Sequence, residues 1–268
     1  MSSRDRTGIL SSVSNPRVKH LRRVVHESRT RRSEQLFALE SDREIERCLQ
    51  AGFQPEAVYY TDRSDTVDRL IERGAEAFEV TDSIIKKVSY RENPQGIVSV
   101  FHARHMTFDD VILPPDPITV VCSGLEKPGN LGAIMRTADA VGASVMFIDS
   151  PSFDVYNPNC VRSSTGTVFT LPIIQDTPDR IADFLATRSI TCVATLPDAP
   201  ATYINADFTG PVAFVLGSEA QGLNDFWQRR ANRSVSLPMR GTADSLNVST
   251  TAAILMFEAL RQRSAGNS

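Results

Sequence analysis

The chain reads as an α/β protein whose larger part is a mainly parallel sheet with helices on both faces, preceded by a smaller α/β unit. Short apolar runs alternate with amphipathic stretches along most of its 268 residues, the pattern of buried parallel strands joined by crossover helices. Residues 102–117 hold Pro114, Pro115 and Pro117 among acidic residues with little periodicity, the composition of a linker. The length allows two modest domains, each with its own core. The expected division is residues 1–105, a linker at 106–117 and a second domain at 118–268.

In chain order, the first unit shows a strand near 36–39, a helix near 42–51, a strand at 58–61 and a helix at 65–73 that Gly74 stops. The second shows strands near 119–122, 144–148, 168–171, 191–195 and 212–216, with helices near 131–141 and 178–187. From Val248, apolar or small residues return at Thr251, Ala252, Leu255, Met256, Ala259 and Leu260, the stripe of an amphipathic helix. Asn247 is placed to cap that helix, so free backbone N–H groups and a partial positive charge meet the loop Met239 to Leu246.

Two earlier segments carry candidate chemistry. Asn130 is expected to cap a helix that packs through Leu131, Ile134, Ala138 and Val141. At about 100° per residue, Arg136 then points away from the core as an anion or substrate contact, or as an ordinary solvated arginine. The strand at 212–216 runs into Gly217-Ser218-Glu219, where the glycine permits close backbone approach or an unusual φ. Glu219 stands at the carboxyl end of the strand, where open α/β sheets place their sites.

In order, Asn130-x-Gly-x-x-x-Arg136, Gly217-Ser-Glu219-x-x-Gly222 and Leu237-Pro-Met239 with Ser245-Leu246-Asn247 resemble the three motifs of the SpoU/TrmH family of RNA ribose 2′-O-methyltransferases, in the SPOUT superfamily. Ser14-Asn-Pro-Arg17, Phe37-Ala-Leu-Glu40 and Asn93-Pro-Gln95-Gly96 resemble the small substrate-binding domain that precedes the catalytic domain in many members. Ser41 stands where the family more often has glycine. The resemblance implies a trefoil-knotted C-terminal domain and S-adenosylmethionine as methyl donor, held by backbone around Gly217, Leu237 and Leu246 with help from Met239. It also implies that Arg136 is catalytic, that Asn130 and Glu219 orient it or the ribose, and that Ser245 and Asn247 complete the pocket. A guanidinium is a poor base at neutral pH, so Arg136 is assigned to the nucleotide phosphate and the developing alkoxide. Arg162, in Asn159-Cys-Val-Arg162-Ser-Ser-Thr-Gly166, is a second candidate RNA contact, and a homodimer through the C-terminal domain is expected. Ribosomal RNA is the preferred substrate because of the separate N-terminal unit; transfer RNA is the alternative. A reading of another class is a non-catalytic RNA-binding or ribosome-assembly protein.

Composition adds limits. Lys+Arg number 29 against 32 Asp+Glu, a formal net charge of −3. Residues 1–36 nevertheless hold nine basic residues (Arg4, Arg6, Arg17, Lys19, Arg22, Arg23, Arg29, Arg31, Arg32) against Asp5, Glu27 and Glu34. Such a concentration is either a phosphate-contacting surface, with Arg17, Lys19, Arg22 and Arg23 as its centre, or a solvated basic face. Cys48, Cys122, Cys160 and Cys192 form no Cys-x-x-Cys pair, so neither structural zinc nor a redox dithiol is expected. No window approaches the roughly 20 apolar residues that span a bilayer, and a protein of the cytoplasm or, in a eukaryote, of an organelle is expected. Neither the glycine-rich dinucleotide loop nor the phosphate loop Gly-Lys-Ser/Thr occurs.

Overall fold

Asn15 and Pro16 set where the chain first turns helical. In the computed structural model, which describes residues 8–219 and 221–265, the Asn15 side chain accepts from Arg17 N at 2.9 Å. Proline at the first helical position loses no hydrogen bond, and α1 runs Pro16–His26. It buries Val18, Leu21, Val24 and Val25 and leaves Lys19, Arg22 and Arg23 exposed. Arg4, Asp5 and Arg6 lie outside the described residues.

Then come α2 (Ser28–Glu34), β1 (Leu36–Leu39), α3 (Asp42–Gln50), β2 (Pro55–Tyr60), α4 (Asp65–Glu72), β3 (Glu76–Glu79), α5 (Asp82–Val88) and β4 (Ile97–His102). The strands form one sheet in the order β1-β4-β2-β3, parallel only between β2 and β3. Ala38, Tyr59, Val98 and Val100 meet α1 and α5 on one face. Alternate residues face the other side, where Phe37 stacks on Phe101 at 5.7 Å. This unit ends at Arg104 but also takes in Tyr156–Val161, and Tyr156 stacks on Phe37 at 4.3 Å. Ser41 needs no glycine's freedom: its backbone is extended (φ −139°) and its hydroxyl accepts from Glu44 N as the cap of α3.

The second unit comprises His105–Val155 and the chain from Arg162 onward. Its elements are β5 (Ile118–Cys122), α6 (Pro128–Ala140), β6 (Val145–Ile148), the end of α7 (Pro158–Ser164), β7 (Ile173–Gln175), α8 (Pro178–Thr187), β8 (Thr191–Thr195), β9 (Val212–Leu216), α9 (Asp225–Arg230), β10 (Arg233–Val235) and α10 (Val248–Ala265). All neighbours in the six-stranded sheet, order β10-β8-β9-β5-β6-β7, are parallel. Val121, Phe147, Ala194, Val215 and Trp227 share its core with α8. No helix among the described residues is long and apolar enough to cross a membrane.

Three local expectations change. Residues 168–171 are not a strand: Gly166 (φ 93°) starts a 3₁₀ turn at Thr167–Phe169, and β7 begins only after Pro172. Val168 and Phe169 are buried as turn residues, and an apolar run alone does not separate that from a strand. The proline-rich stretch before β5 is not free chain. Thr107 and Asp110 form a capping box around the turn Phe108–Asp110, Val111 is buried in the core, and Phe108 lies 4.9 Å from Phe184. Finally, α6 begins at Pro128 after a Lys127 cap, so Asn130 sits inside the first turn rather than at its cap.

Candidate functional site

Parallel pairing brings the carboxyl ends of the strands to one edge. Cys122 of β5 is in register with Leu216 of β9 and Ile148 of β6, and Val235 of β10 with Thr195 of β8. The loops leaving these residues therefore meet. Gln228 and the end of β8, Thr195 to Asp198, join the segments from Leu216 to Leu223 and from Leu237 to Thr251 around a cavity of about 440 Å³. All of it lies within the second unit.

Of the two roles expected of Gly217, the structure shows close backbone approach, here to the loop's own main chain, and not an unusual φ. Its φ lies outside the left-handed region. The loop doubles back so tightly that Ser218 and Gly222 exchange backbone hydrogen bonds of 3.0 Å each. A Cβ on Gly217 would overlap the Gly222 carbonyl and Leu223 N. Gly222 supplies the left-handed turn itself (φ +68°).

Every proposed cofactor contact, Gly217, Leu237, Met239 and Leu246, lines this cavity, as do Glu219 and Ser245. Leu196, Leu216, Leu223 and Val248 make much of the remaining wall apolar. Asn247 caps α10: its Oδ1 accepts from Ser249 N at 2.9 Å and its main-chain oxygen from Thr250 N. Its Nδ2 donates to Asn130 Oδ1 at 3.2 Å and to Glu219 Oε1 at 2.5 Å. One side chain thus ties together three segments that the sequence keeps far apart.

Glu219 is not bonded to Arg136. Its other oxygen accepts from Lys127 Nζ, a residue that motif reading passed over. The Lys127 ammonium, then the Asn130 amide, hold the Glu219 carboxyl below its ordinary value, and Glu219 raises Lys127 in turn. Arg136 stands on the exposed side of α6, opposite buried Leu131, Ile134 and Ala138, about 9 Å along the axis from Asn130. Among the described residues it shares no hydrogen bond with Asn130, Glu219, Ser245 or Asn247. Arg162 is exposed on α7.

A hydrogen-bonded frame anchored on the buried Trp227 and Ser123 lies at this edge. The Trp227 indole N–H donates to Asp149 Oδ2 at 2.8 Å, and Asp149 Oδ1 accepts from Gly124 N at 3.2 Å. Asn224 Nδ2 donates to Ser123 Oγ at 3.2 Å and its Oδ1 caps α9. These residues hold the β5–α6 loop from below. Asp149 at the end of an apolar strand was the available signal, but its partners are remote in sequence.

On α1, Arg17 is engaged locally, bonded to Glu76 at 2.8 Å and lying 4.5 Å over the Phe78 ring. Arg23 reaches Glu34 at 3.8 Å. Lys19 and Arg22 share the same exposed surface.

Comparison with known proteins agrees with this geometry. Residues 117–257 match the SpoU rRNA methylase family, and residues 15–99 the MRM3-like substrate binding domain. A 23S rRNA (uridine(2479)-2′-O)-methyltransferase of Streptomyces viridochromogenes is 33% identical over 191 residues, 69% of this chain and 67% of that protein. A crystal structure of an RNA 2′-O ribose methyltransferase is 38% identical, covering 96% of this chain and 100% of that one at a TM-score of 0.82. An AdoMet-bound rRNA methyltransferase from Sinorhizobium meliloti is 29% identical, covering 95% and 97% at a TM-score of 0.87. With the three motifs gathered at one sheet edge and more than half of its length matched by the family model, the chain belongs to the SpoU rRNA methylase family.

Proposed function

We propose that the protein transfers a methyl group from S-adenosylmethionine to a ribose 2′-hydroxyl of ribosomal RNA. The observation that carries this reading is the cavity at the sheet edge, whose wall holds all four proposed cofactor contacts beside the Asn130–Glu219–Asn247 cluster. The fit is one of size and chemistry. About 440 Å³ falls in the range of small-molecule sites, apolar leucines suit an adenine, and Asp198, Glu219 and Asp244 suit a cationic ligand. When bound, the cofactor supplies an electrophilic methyl on a sulfonium. Backbone of the tight Gly217–Gly222 hairpin and of the Leu237–Leu246 segment holds it; Asn130, Glu219 and Asn247 brace those segments. Arg136, clear of the core, takes the nucleotide phosphate and stabilises the negative charge that develops on the 2′-oxygen, whose proton passes to solvent water. Ser245, on the cavity wall, completes the pocket. The knotted path of the chain belongs to the same reading, supported by family membership and by the return of residues 237–247 to the end of β9 and the start of α6.

Mapping ribose methylation in rRNA and tRNA from a deletion strain beside wild type tests the reading. Loss of an rRNA 2′-O-methyl supports it, loss confined to tRNA favours the alternative substrate, and unchanged maps sink it. A cytoplasmic site of action fits the four cysteines, all buried and none in a disulfide; burial pushes the Cys192 thiol up to about 11.

RNA binding is assigned to Lys19, Arg22 and Arg23 on α1, with Arg17 and with Arg162 on α7. Neutralising the four α1 residues is expected to weaken RNA binding and flatten its salt dependence by roughly 0.7 to 0.9 in slope per lost phosphate contact. Arg17 should contribute least, because Glu76 and Phe78 already occupy it. Filter binding across a salt series checks this, and an unchanged slope would mark α1 as a solvated basic face.

The active form is a homodimer through the second unit. The support is α10, which buries Val248, Ala252, Leu255, Met256 and Ala259 yet carries Ala253, Ile254, Leu260 and the 49% exposed Phe257 outside that stripe. Sedimentation of the full chain at micromolar concentration should show a dimer that Phe257→Glu converts to monomer; a monomeric wild type would refute it.

A further inference from the structure

The ion pair between Lys127 and Glu219 would be unremarkable on a bare surface, where exposed pairs contribute little. Its place changes its meaning. Lys127 is the cap residue of α6, the helix that carries Asn130 and Arg136. Glu219 belongs to the tight hairpin of the cavity wall. The same carboxylate accepts from Asn247, which caps α10 and also bonds Asn130. Lys127 and Asn247 thus converge on one carboxylate, Asn130 joins them through Asn247, and the starts of two helices are locked to one loop.

The geometry points to Lys127 as a positioning residue for methyl transfer: its ammonium holds the Glu219 carboxylate in place, and Glu219 in turn fixes Asn247, Asn130 and the hairpin that lines the cofactor cavity. This rests on the methyltransferase reading but concerns a residue outside the three motifs. Lys127 needs no contact with cofactor or RNA for this role. A neutral Glu219 accepts less strongly from the Asn247 amide, so Asn247 and, through it, Asn130 lose their anchor and the cavity wall loosens. Among the described residues, Lys127 is the cation acting on Glu219 and Glu126 acts on Lys127 from the same loop, while Asp198 and Asp244 share the cavity wall with Glu219.

The sign of the pH effect follows. Because the Glu219 carboxyl is held below its ordinary 4.5, the network is fully present above that value and is lost as pH falls through the lower, folded one. Without the lysine the carboxyl moves back up, and the loss begins at higher pH. The test compares wild type, Lys127→Gln and Lys127→Arg in the full chain. S-adenosylmethionine affinity is measured by calorimetry from pH 4 to 8, methyl transfer to rRNA at neutral pH, and the Glu219 carboxyl titration by carbon-detected NMR. Lys127→Gln should lower kcat by between about 10- and 100-fold, with KM for RNA within about twofold. It should also shift both the acid limb of cofactor binding and the Glu219 titration upward. Lys127→Arg should restore most of each. Overlapping wild-type and Lys127→Gln titrations would overturn the proposal. So would a loss confined to the KM for RNA and relieved by salt, which would make Lys127 a phosphate contact instead. An inactive wild type with the titration shift intact would instead count against the methyltransferase reading alone.

Discussion

Arg136→Ala is expected to lower methyl transfer by on the order of 10²- to 10³-fold, the usual cost of removing one preorganised donor from a developing oxyanion. Affinity for S-adenosylmethionine should stay within about threefold. The separation of the two effects follows from position. Arg136 projects from the exposed side of α6 while the proposed cofactor contacts line a cavity that Arg136 does not touch. Removing it takes nothing from the core, since Leu131, Ile134, Met135 and Ala138 do the packing. Single-turnover transfer on rRNA, beside calorimetric titration with the cofactor, checks both halves. Wild-type turnover in the mutant would remove Arg136 from the chemistry, whereas equal losses in turnover and cofactor affinity would place it at the cofactor.

The second large effect is expected from Gly217→Ala, the smallest possible change in side chain. The added methyl has no space, because the backbone of Gly222 and Leu223 lies where it would go. The hairpin must open and give up the paired Ser218–Gly222 bonds. Overpacking of this kind costs about 1–3 kcal/mol. Since the hairpin is part of the cavity wall and carries Glu219, the strain should appear as a loss of cofactor affinity of more than about tenfold, or 1.4 kcal/mol. Thermal melts with and without S-adenosylmethionine give the readout: a lower Tm for the free protein and a smaller shift on adding cofactor. Unchanged affinity would show that the hairpin does not shape the site.

Helix placement illustrates how far local chemistry reaches. The expectation that 178–187 and 191–195 would be helix and strand matches α8 and β8 because apolar spacing and a proline at the first helical position are local signals. β3 escaped notice because Glu76 and Glu79 are exposed at a sheet edge, so no apolar alternation marks it. Residues 106–117 looked like a linker because prolines suppress periodicity. Of these, Met106, Phe108, Val111 and Leu113 pack on the core cluster, with Phe108 against Phe184, contacts made only after folding.

The amino-acid sequence by itself determined the α/β class, the order of the three motifs and the outward direction of Arg136, since each depends on residues within a helical turn or a single strand. Only the tertiary structure decided what Glu219 binds, why Gly217 must lack a side chain, and that Asn247 joins Asn130 across 117 residues of chain. Parallel pairing creates those contacts by aligning strand ends that are remote in sequence, and a carboxylate's partner is set by that register rather than by its neighbours along the chain.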